Sequence, residues 1–376
     1  MSFTHGQQII KMKEWFRQMK KLSVGVIGGT GYVGQRFITL LENHPWFSCE
    51  AVAASPRSAG KTYEEATRSR WKLEVKMPEY VKNIVVQSVD DIEQFCNDLD
   101  FVFCAVDMPK DEIRALEERI AKLEKPVISN NSAHRWTEDV PVIVPEINSE
   151  HAALIEIQRK RLGTKKGFIT AKPNCSIQSY VPALTPLLDF EPEKLSVCTY
   201  QAISGAGKTF QDWPEMLNNM IPYIGGEEDK SEKEPLKVWG NMQEDHLALA
   251  SLPVISAHCY RVAVQEGHTA AVSVSFKKKP SRDEIISRWR TFEGEAQKLN
   301  LPSAPNPFLQ YLEDDNRPQP ALDALFGNGM GVSIARLRED VLFDYKFTCL
   351  SHNTLRGAAG GAVLTAELLY QKGYIV

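Results

Sequence analysis

Apolar and polar positions alternate in blocks along the first half of the chain. Residues 23–27 form a short apolar run that stops at a cluster of glycines, and Phe37, Leu40 and Leu41 then recur at helical spacing. A short apolar run bounded by turn residues reads as a buried strand, and an apolar stripe with a period near 3.6 as a helix. Strand-like runs follow at residues 50–54, 83–86, 99–105 and 126–129, with a helical pattern over 110–123. Strands alternating with helices predict an α/β fold, a Rossmann-type doubly wound parallel sheet.

From about Phe168 the pattern changes. Helical patterns become sparse, and strand-like runs at residues 196–201, 268–276 and 341–349 predict an α+β domain with a mostly antiparallel sheet. The charged, glycine-led stretch 225–235 reads as a loop, and proline-rich 301–320 as a long extended connection suited to a subunit contact. The small residues of 356–364 suit a final helix packed closely on the first domain. The expected organisation is an N-terminal extension over 1–22, a nucleotide-binding domain over 23–167 with 352–376, and a second domain over 168–351. In the extension, Ile9, Ile10, Met12, Trp15, Phe16, Met19 and Leu22 recur at helical spacing among lysines. That pattern is an amphipathic basic helix, expected to dock on the body or on a partner subunit.

At 376 residues the chain is long enough for two domains with adequate cores. Its net charge of −4 gives no support for nucleic-acid binding. Seven cysteines, an odd number without a CxxC pair, argue against a disulfide framework and a zinc site. They favour a reducing compartment, hence a cytoplasmic protein. No apolar run approaches the roughly 20 residues that span a bilayer.

The glycines form the run Gly28-Gly29-Thr30-Gly31-Tyr32-Val33-Gly34, between a strand pattern and a helix pattern. Such a turn brings backbone N–H groups and a helix N-terminus against a pyrophosphate. An NAD enzyme of this architecture usually carries an acid at the end of the second strand. Here Ser55-Pro56-Arg57-Ser58-Ala59-Gly60-Lys61 offers hydroxyls and cations instead, which suits the 2′-phosphate of NADP. Among the cysteines, Cys175 stands out in Lys172-Pro173-Asn174-Cys175-Ser176-Ile177-Gln178, after a strand-like run and before a possible helix start. A helix N-terminus lowers a thiol pKa. Gln201 and His268, of types that serve a thiol nucleophile, lie downstream. Taken alone, the segment fits a buried structural cysteine equally well.

Blocks at 28–35, 129–135, 142–148, 173–176, 201–207, 221–235, 261–269, 317–320 and 352–367 together resemble the aspartate-β-semialdehyde dehydrogenases of the archaeal and fungal branch. They extend from about residue 23 to the C-terminus. The resemblance implies NADP-dependent reductive dephosphorylation of L-aspartyl-4-phosphate to L-aspartate 4-semialdehyde through a cysteine thioester, in lysine, threonine and methionine biosynthesis. It implies a catalytic and dimerisation role for 168–351 and a homodimer or homotetramer. By the same resemblance Cys175 matches the nucleophile, His268 the general acid/base, and Gln201 the residue that orients substrate. Arg261 matches the grip on the α-carboxylate, Glu227 or Glu228 the site for the α-ammonium group, and Arg135 and Lys230 the phosphate-binding cations. Asn174 joins the substrate-binding set. Cofactor contacts are implied for Gly28, Thr30, Gly31, Tyr32, Val33, Gly34, Ser55, Arg57, Ser58, Ser204, Gly205, Asn353 and Thr354, with no metal.

Two loops, 104–109 and 130–132, depart from the usual family form. The rival on the same scaffold is a malonyl-CoA or succinyl-CoA reductase, whose acyl group carries no ammonium. The acidic run Glu227-Glu228-Asp229 with Lys230 favours the aspartyl substrate. A non-catalytic NADP-binding relative is the third reading, and an intact Cys175, Gln201, Arg261 and His268 argues against it.

Overall fold

The computed structural model describes residues 20–376, so the amphipathic pattern up to Met19 lies outside the described residues. The first domain is built on six parallel strands: β1 (Leu22–Ile27), β2 (Phe47–Ala54), β3 (Gln87–Ser88), β4 (Phe101–Cys104), β5 (Val127–Ser129) and β6 (Ile169–Ala171). Their order is β3-β2-β1-β4-β5-β6, with the direction of winding reversed beside β1. Ligands of such sheets bind beyond the strand C-termini at that reversal, where β1 runs into the glycine turn and helix α1 (Tyr32–Leu41). Helices α2 (Lys110–Lys122) and α3 (Leu154–Leu162) belong to the same domain. Because both faces are covered, Val24, Val26 and Ile27 of β1 are fully buried, which is why the strand reads as a continuous apolar run.

Two expectations shift here. The edge strand is not 83–86 but the shorter β3, because Val85 is exposed and pairs only in an isolated bridge with Thr62. The domain boundary expected after residue 167 moves past Ala171, because β6 pairs with β5 as the outer strand of the first sheet.

The second domain carries a seven-stranded mixed sheet in the order β13-β14-β15-β12-β7-β11-β8. Its strands are β7 (Pro192–Gln201), β8 (Met220–Ile221), β11 (Val254–Val262), β12 (His268–Phe276), β13 (Leu309–Leu312), β14 (Val332–Glu339) and β15 (Tyr345–Ser351). A separate ribbon pairs β9 (Asn241–Met242) with β10 (Leu247–Ala248). Strand β12 buries alternate residues, with Ala270, Val272, Val274 and Phe276 in a core shared with Trp289 and Phe347. Helices α4 (Ile177–Leu184), α5 (Glu227–Val238) and α6 (Arg282–Thr291) belong to the same domain.

The expected loop at 225–235 is thus largely helix α5. Gly226 takes a left-handed conformation (φ +70°) just before it, and Glu227, Glu228 and Asp229 fill its first turn, where acidic groups favour the helix dipole. The expected extended connection at 301–320 contains β13, paired in parallel with β14. The final helix α7 (Gly360–Gln371) packs Ala362, Val363, Leu364 and Leu368 into the core of Val24, Val26 and Phe37. No helix among the described residues is long and apolar enough to cross a membrane.

Candidate active site

Sheet register brings the first site residues together. Gln201 ends β7, and Arg261 lies directly opposite it near the end of the parallel strand β11. Antiparallel β12 starts at the same end, with His268 as its first residue and Thr269 opposite Tyr200. Strand β7, with β11 on one side and β12 on the other, therefore presents Gln201, Arg261 and His268 at one rim. Cys175 arrives from the loop between β6 and α4, and its Sγ lies 3.5 Å from His268 Nε2. Gly357 closes the back of this loop, where a Cβ would lie 2.8 Å from the Cys175 Cβ.

His268 is fully buried, and its Nδ1 accepts the Ala202 N–H at 3.1 Å. An amide N–H can only donate, so the neutral ring carries its proton on Nε2, facing the sulfur. Burial, with the Arg261 charge beside it, holds the imidazole well below its ordinary pKa, and the Gly267 carbonyl opposes this only in part. The ring is therefore neutral at physiological pH and offers an Nε2–H donor.

The thiol differs from the helix-terminus expectation. Burial raises its pKa, the Glu227 carboxylate raises it further, and Lys172, Arg135 and Arg261 act in the opposite direction. The other cysteines are free; Cys49, Cys96, Cys104, Cys259 and Cys349 are buried and Cys198 is partly exposed.

Helix α5 supplies the acidic part of the site. Glu227 is buried and accepts from Asn174 Nδ2 at 3.0 and 3.1 Å, from Gln201 Nε2 at 3.3 Å and from Lys230 Nζ at 2.7 Å. Glu228 points elsewhere and accepts the Cys259 N–H of β11 at 3.3 Å. Asn174 also uses its Oδ1 to accept the Ser176 N–H at 2.7 Å, which shapes the turn carrying Cys175. Arg135 is buried and pairs through Nη1 with Glu234 at 2.9 Å, while its Nε donates to the Lys172 carbonyl at 2.8 Å. Arg261 is buried without a carboxylate partner among the described residues, and its Nη1 donates to the Ala202 carbonyl at 2.7 Å.

Sequence reasoning missed Glu234, Lys237 and Glu266. Glu234 accepts both from Arg135 and, at 2.6 Å, from the Asn174 N–H. Lys237 donates to the carbonyls of Arg135, Thr137 and Val140 at 2.7, 3.2 and 3.1 Å, and burial lowers its pKa to about 8. These residues follow Glu227 on the buried face of α5, a spacing that becomes readable once the segment is taken as a helix.

On the nucleotide side, the glycine turn is shaped by close approach. Gly28 has φ +79°, and a Cβ there would lie 2.3 Å from the Ala105 carbonyl oxygen. A Cβ on Gly34 would lie 2.3 Å from the Gly28 oxygen, whereas Gly31 is exposed at the head of α1. Thr30 and Val33 are half-buried in this turn. The bare backbone at a helix N-terminus fits a dinucleotide pyrophosphate. At the end of β2, Ser55 and Arg57 are exposed and Ser58 is buried, accepting from Arg70 Nη2 at 3.0 Å.

Glu266, in the β11–β12 connection, ties the domains together. Its carboxylate accepts from Tyr32 Oη at 2.6 Å, Arg36 Nη2 at 2.8 Å, Ser204 Oγ at 3.0 Å and Thr354 Oγ1 at 3.1 Å. Asn353 donates to Ser204 Oγ at 2.8 Å and accepts the Gly267 N–H at 2.8 Å. Gly205 lines the open side of the site, where a Cβ would lie 2.8 Å from Arg261 Nη1 and 3.1 Å from His268 Cε1.

A dinucleotide-type sheet joined to a mixed sheet whose rim sets a neutral imidazole beside the thiol of the β6–α4 loop fits a nucleotide-dependent dehydrogenase. The sequence profile of the semialdehyde dehydrogenase NAD-binding domain matches residues 23–155, and that of the semialdehyde dehydrogenase dimerisation domain matches 184–356. The aspartate-semialdehyde dehydrogenase of Archaeoglobus fulgidus is 41% identical over 94% of this chain and 100% of its own. That of Saccharomyces cerevisiae is 41% identical over 95% of this chain and 99% of its own. The crystal structure of aspartate semialdehyde dehydrogenase with NADP from Candida albicans superposes with a TM-score of 0.85, at 39% identity, over 95% of this chain and 100% of that one. The chain belongs to the aspartate-semialdehyde dehydrogenase family.

Proposed function

We propose that this chain reduces L-aspartyl-4-phosphate to L-aspartate 4-semialdehyde with NADPH, through a thioester on Cys175, as a step of lysine, threonine and methionine biosynthesis. The observation that carries the reading is the set of groups converging on Cys175: His268 Nε2 at 3.5 Å, with Arg261 and the Glu227 carboxylate buried beside it. An amino acid whose side chain is the acyl phosphate offers one partner for each group. Its α-carboxylate suits the unpaired Arg261, its α-ammonium suits Glu227, and its phosphate suits Arg135 and Lys230. Gln201 and Asn174 hold the Glu227 carboxylate in place for this task.

In this reading the Cys175 thiolate attacks the acyl carbon and phosphate leaves, giving a thioester, a better hydride acceptor than a carboxylate. The glycine turn would hold NADPH, with Ser55, Arg57 and Ser58 for its 2′-phosphate, and the cofactor would supply the hydride. His268 donates from Nε2 to the oxygen that develops charge, while its Nδ1 stays on the Ala202 N–H.

The dimerisation-domain match supports self-association, as a homodimer or homotetramer. The exposed Tyr200, Met220 and Val254 on neighbouring strands β7, β8 and β11 offer a surface for it. Seven free cysteines fit a reducing, cytoplasmic setting.

The test is oxidation of aspartate semialdehyde in phosphate, compared with CoA-dependent oxidation of malonate semialdehyde, each with NADP and with NAD. Phosphate-dependent turnover of aspartate semialdehyde with a preference for NADP is the expected result. CoA-dependent turnover of malonate semialdehyde alone overturns the substrate. A preference for NAD overturns the reading of 55–61.

The Glu227→Gln substitution is expected to raise the KM for aspartate semialdehyde roughly ten- to a hundred-fold, the loss of a charge-assisted hydrogen bond worth about 1.5–3 kcal/mol. Glu228→Gln, directed at the β11 backbone, should leave that KM within about twofold. Equal KM values for Glu227→Gln and the native enzyme would remove Glu227 from the substrate site.

A further inference from the structure

Arg70 follows the short helix Tyr63–Thr67, and its N–H donates to the Thr67 carbonyl at 2.8 Å. Two residues tie this segment to the glycine turn. Tyr63 Oη donates to the Gly29 carbonyl at 2.9 Å. The buried Gln35 donates from Nε2 to the Thr30 carbonyl at 3.1 Å and to the Arg70 carbonyl at 2.7 Å, while its Oε1 accepts the Lys72 N–H at 2.9 Å. The Arg70 backbone is thereby fixed beside the turn. Its side chain reaches the loop after β2, where Nη2 donates to Ser58 Oγ at 3.0 Å as well as to the Ala66 carbonyl. Arg70 thus joins the two parts of such a fold that meet the pyrophosphate and the adenosine ribose of a dinucleotide.

Most of the guanidinium is uncommitted. It has five N–H donors, yet only Nη2 has protein acceptors among the described residues. Nε and Nη1 have none and are not sealed from solvent. No carboxylate lies within ion-pair distance of Arg70 among the described residues. The charged neighbours in sequence are engaged elsewhere: Glu65 caps its own helix by accepting the Thr62 N–H at 3.0 Å, and Lys72 pairs with Asp212 at 3.0 Å. A half-buried guanidinium with free donors and no counter-ion is suited to an anion. Ser58 is 1% exposed, so its hydroxyl serves to hold this guanidinium.

We propose that Arg70 is a specificity-determining residue, its guanidinium taking the 2′-phosphate of the cofactor while Ser58 anchors it. The inference rests on the reading of 55–61 as the 2′-phosphate side of the site. Arg57 lies on the same loop, but it is exposed and its side chain makes no hydrogen bond among the described residues. It must lose side-chain freedom to bind a phosphate, whereas Arg70 is already held by Ser58 and by its backbone. A planar guanidinium also offers a phosphate two parallel N–H groups, which a hydroxyl cannot.

The test is calorimetric titration of the whole protein with adenosine 2′,5′-bisphosphate and, separately, with adenosine 5′-monophosphate, which lacks the 2′-phosphate. The Arg70→Met substitution is expected to weaken the bisphosphate at least about tenfold and to leave the monophosphate within about twofold, because a charge-assisted contact to the 2′-phosphate is lost. A bisphosphate loss below about tenfold overturns the proposal. So does a comparable loss for both ligands, which is what a merely structural role for Arg70 would give. Should Arg70→Met fail to fold, Arg70→Gln, which also lacks the charge, decides by the same comparison. Neither titration involves turnover. Native protein that binds the monophosphate as tightly as the bisphosphate removes the reading of 55–61, and the proposal with it. Native protein that favours the bisphosphate, beside an Arg70→Met variant that favours it equally, overturns the proposal alone.

Discussion

Cys175→Ser should lower kcat at least about a hundred-fold while NADP still binds, because a thiolate is a far better nucleophile than a neutral hydroxyl. The site makes the loss severe for a second reason. A serine needs a base, and the nitrogen facing position 175 carries the proton of the His268 ring, whose other nitrogen is held by the Ala202 N–H at 3.1 Å. To accept a hydroxyl proton at Nε2 the ring must first move its own proton to Nδ1, giving up that bond, and it then becomes an imidazolium, which burial disfavours. Another cysteine does not stand in, since five of the six others are buried and the remaining one, Cys198, lies on β7. The measurement is kcat for phosphate-dependent oxidation of aspartate semialdehyde, with NADP binding followed by fluorescence. A serine enzyme that keeps more than about a hundredth of native turnover removes covalent catalysis from position 175.

The largest expected loss of stability follows Arg356→Met. Arg356 is 1% exposed, and its terminal nitrogens each donate at 2.6 Å to the Glu146 carboxylate, which is itself buried. Its Nε donates to Gln178 Oε1 of α4 at 3.1 Å, and its guanidinium carbon lies 4.6 Å from the Phe308 ring centroid. Methionine fills much of the volume but leaves the Glu146 charge buried and unpaired, which costs about 3–5 kcal/mol. Urea unfolding of the native and variant proteins measures the difference. A loss below about 1 kcal/mol, the range of an exposed pair, would show that water reaches Glu146. The variant should also lose activity, because the next residue, Gly357, packs directly behind Cys175.

Much of the nucleotide-binding domain is legible in the chain because its strands are covered on both faces. Val24, Val26 and Ile27, or Phe101, Val102 and Phe103, must all be apolar, so each strand shows as an unbroken run. The glycine turn is legible because Gly28 and Gly34 meet backbone at distances that exclude a Cβ. Strand β12 is legible because one face meets the core and the other does not, which imposes strict alternation.

Helix α5 was hidden for a matching reason. Its buried positions Glu227, Ser231 and Glu234 follow helical spacing, but they are polar because they face a polar site, and a periodicity read from apolar residues passes over them. The edge strands β3 and β13 were hidden because short edges carry little apolar pattern.

The chain by itself determined which side chains are candidates for chemistry: the cysteine at a turn, the histidine at a strand start, the acidic run, the acid-free stretch at 55–61. The tertiary structure decided what state those side chains are in. Sheet register set Gln201 opposite Arg261, an amide from another strand end chose the His268 tautomer, and the facing of α5 chose Glu227 over Glu228 for the site. Cys175 shows the division most plainly. Its place before a helix argued for a lowered pKa, yet burial and Glu227 raise it against the pull of Lys172, Arg135 and Arg261. Desolvation and charge–charge energies depend on distances through space between residues far apart in sequence, and only the folded chain sets those distances.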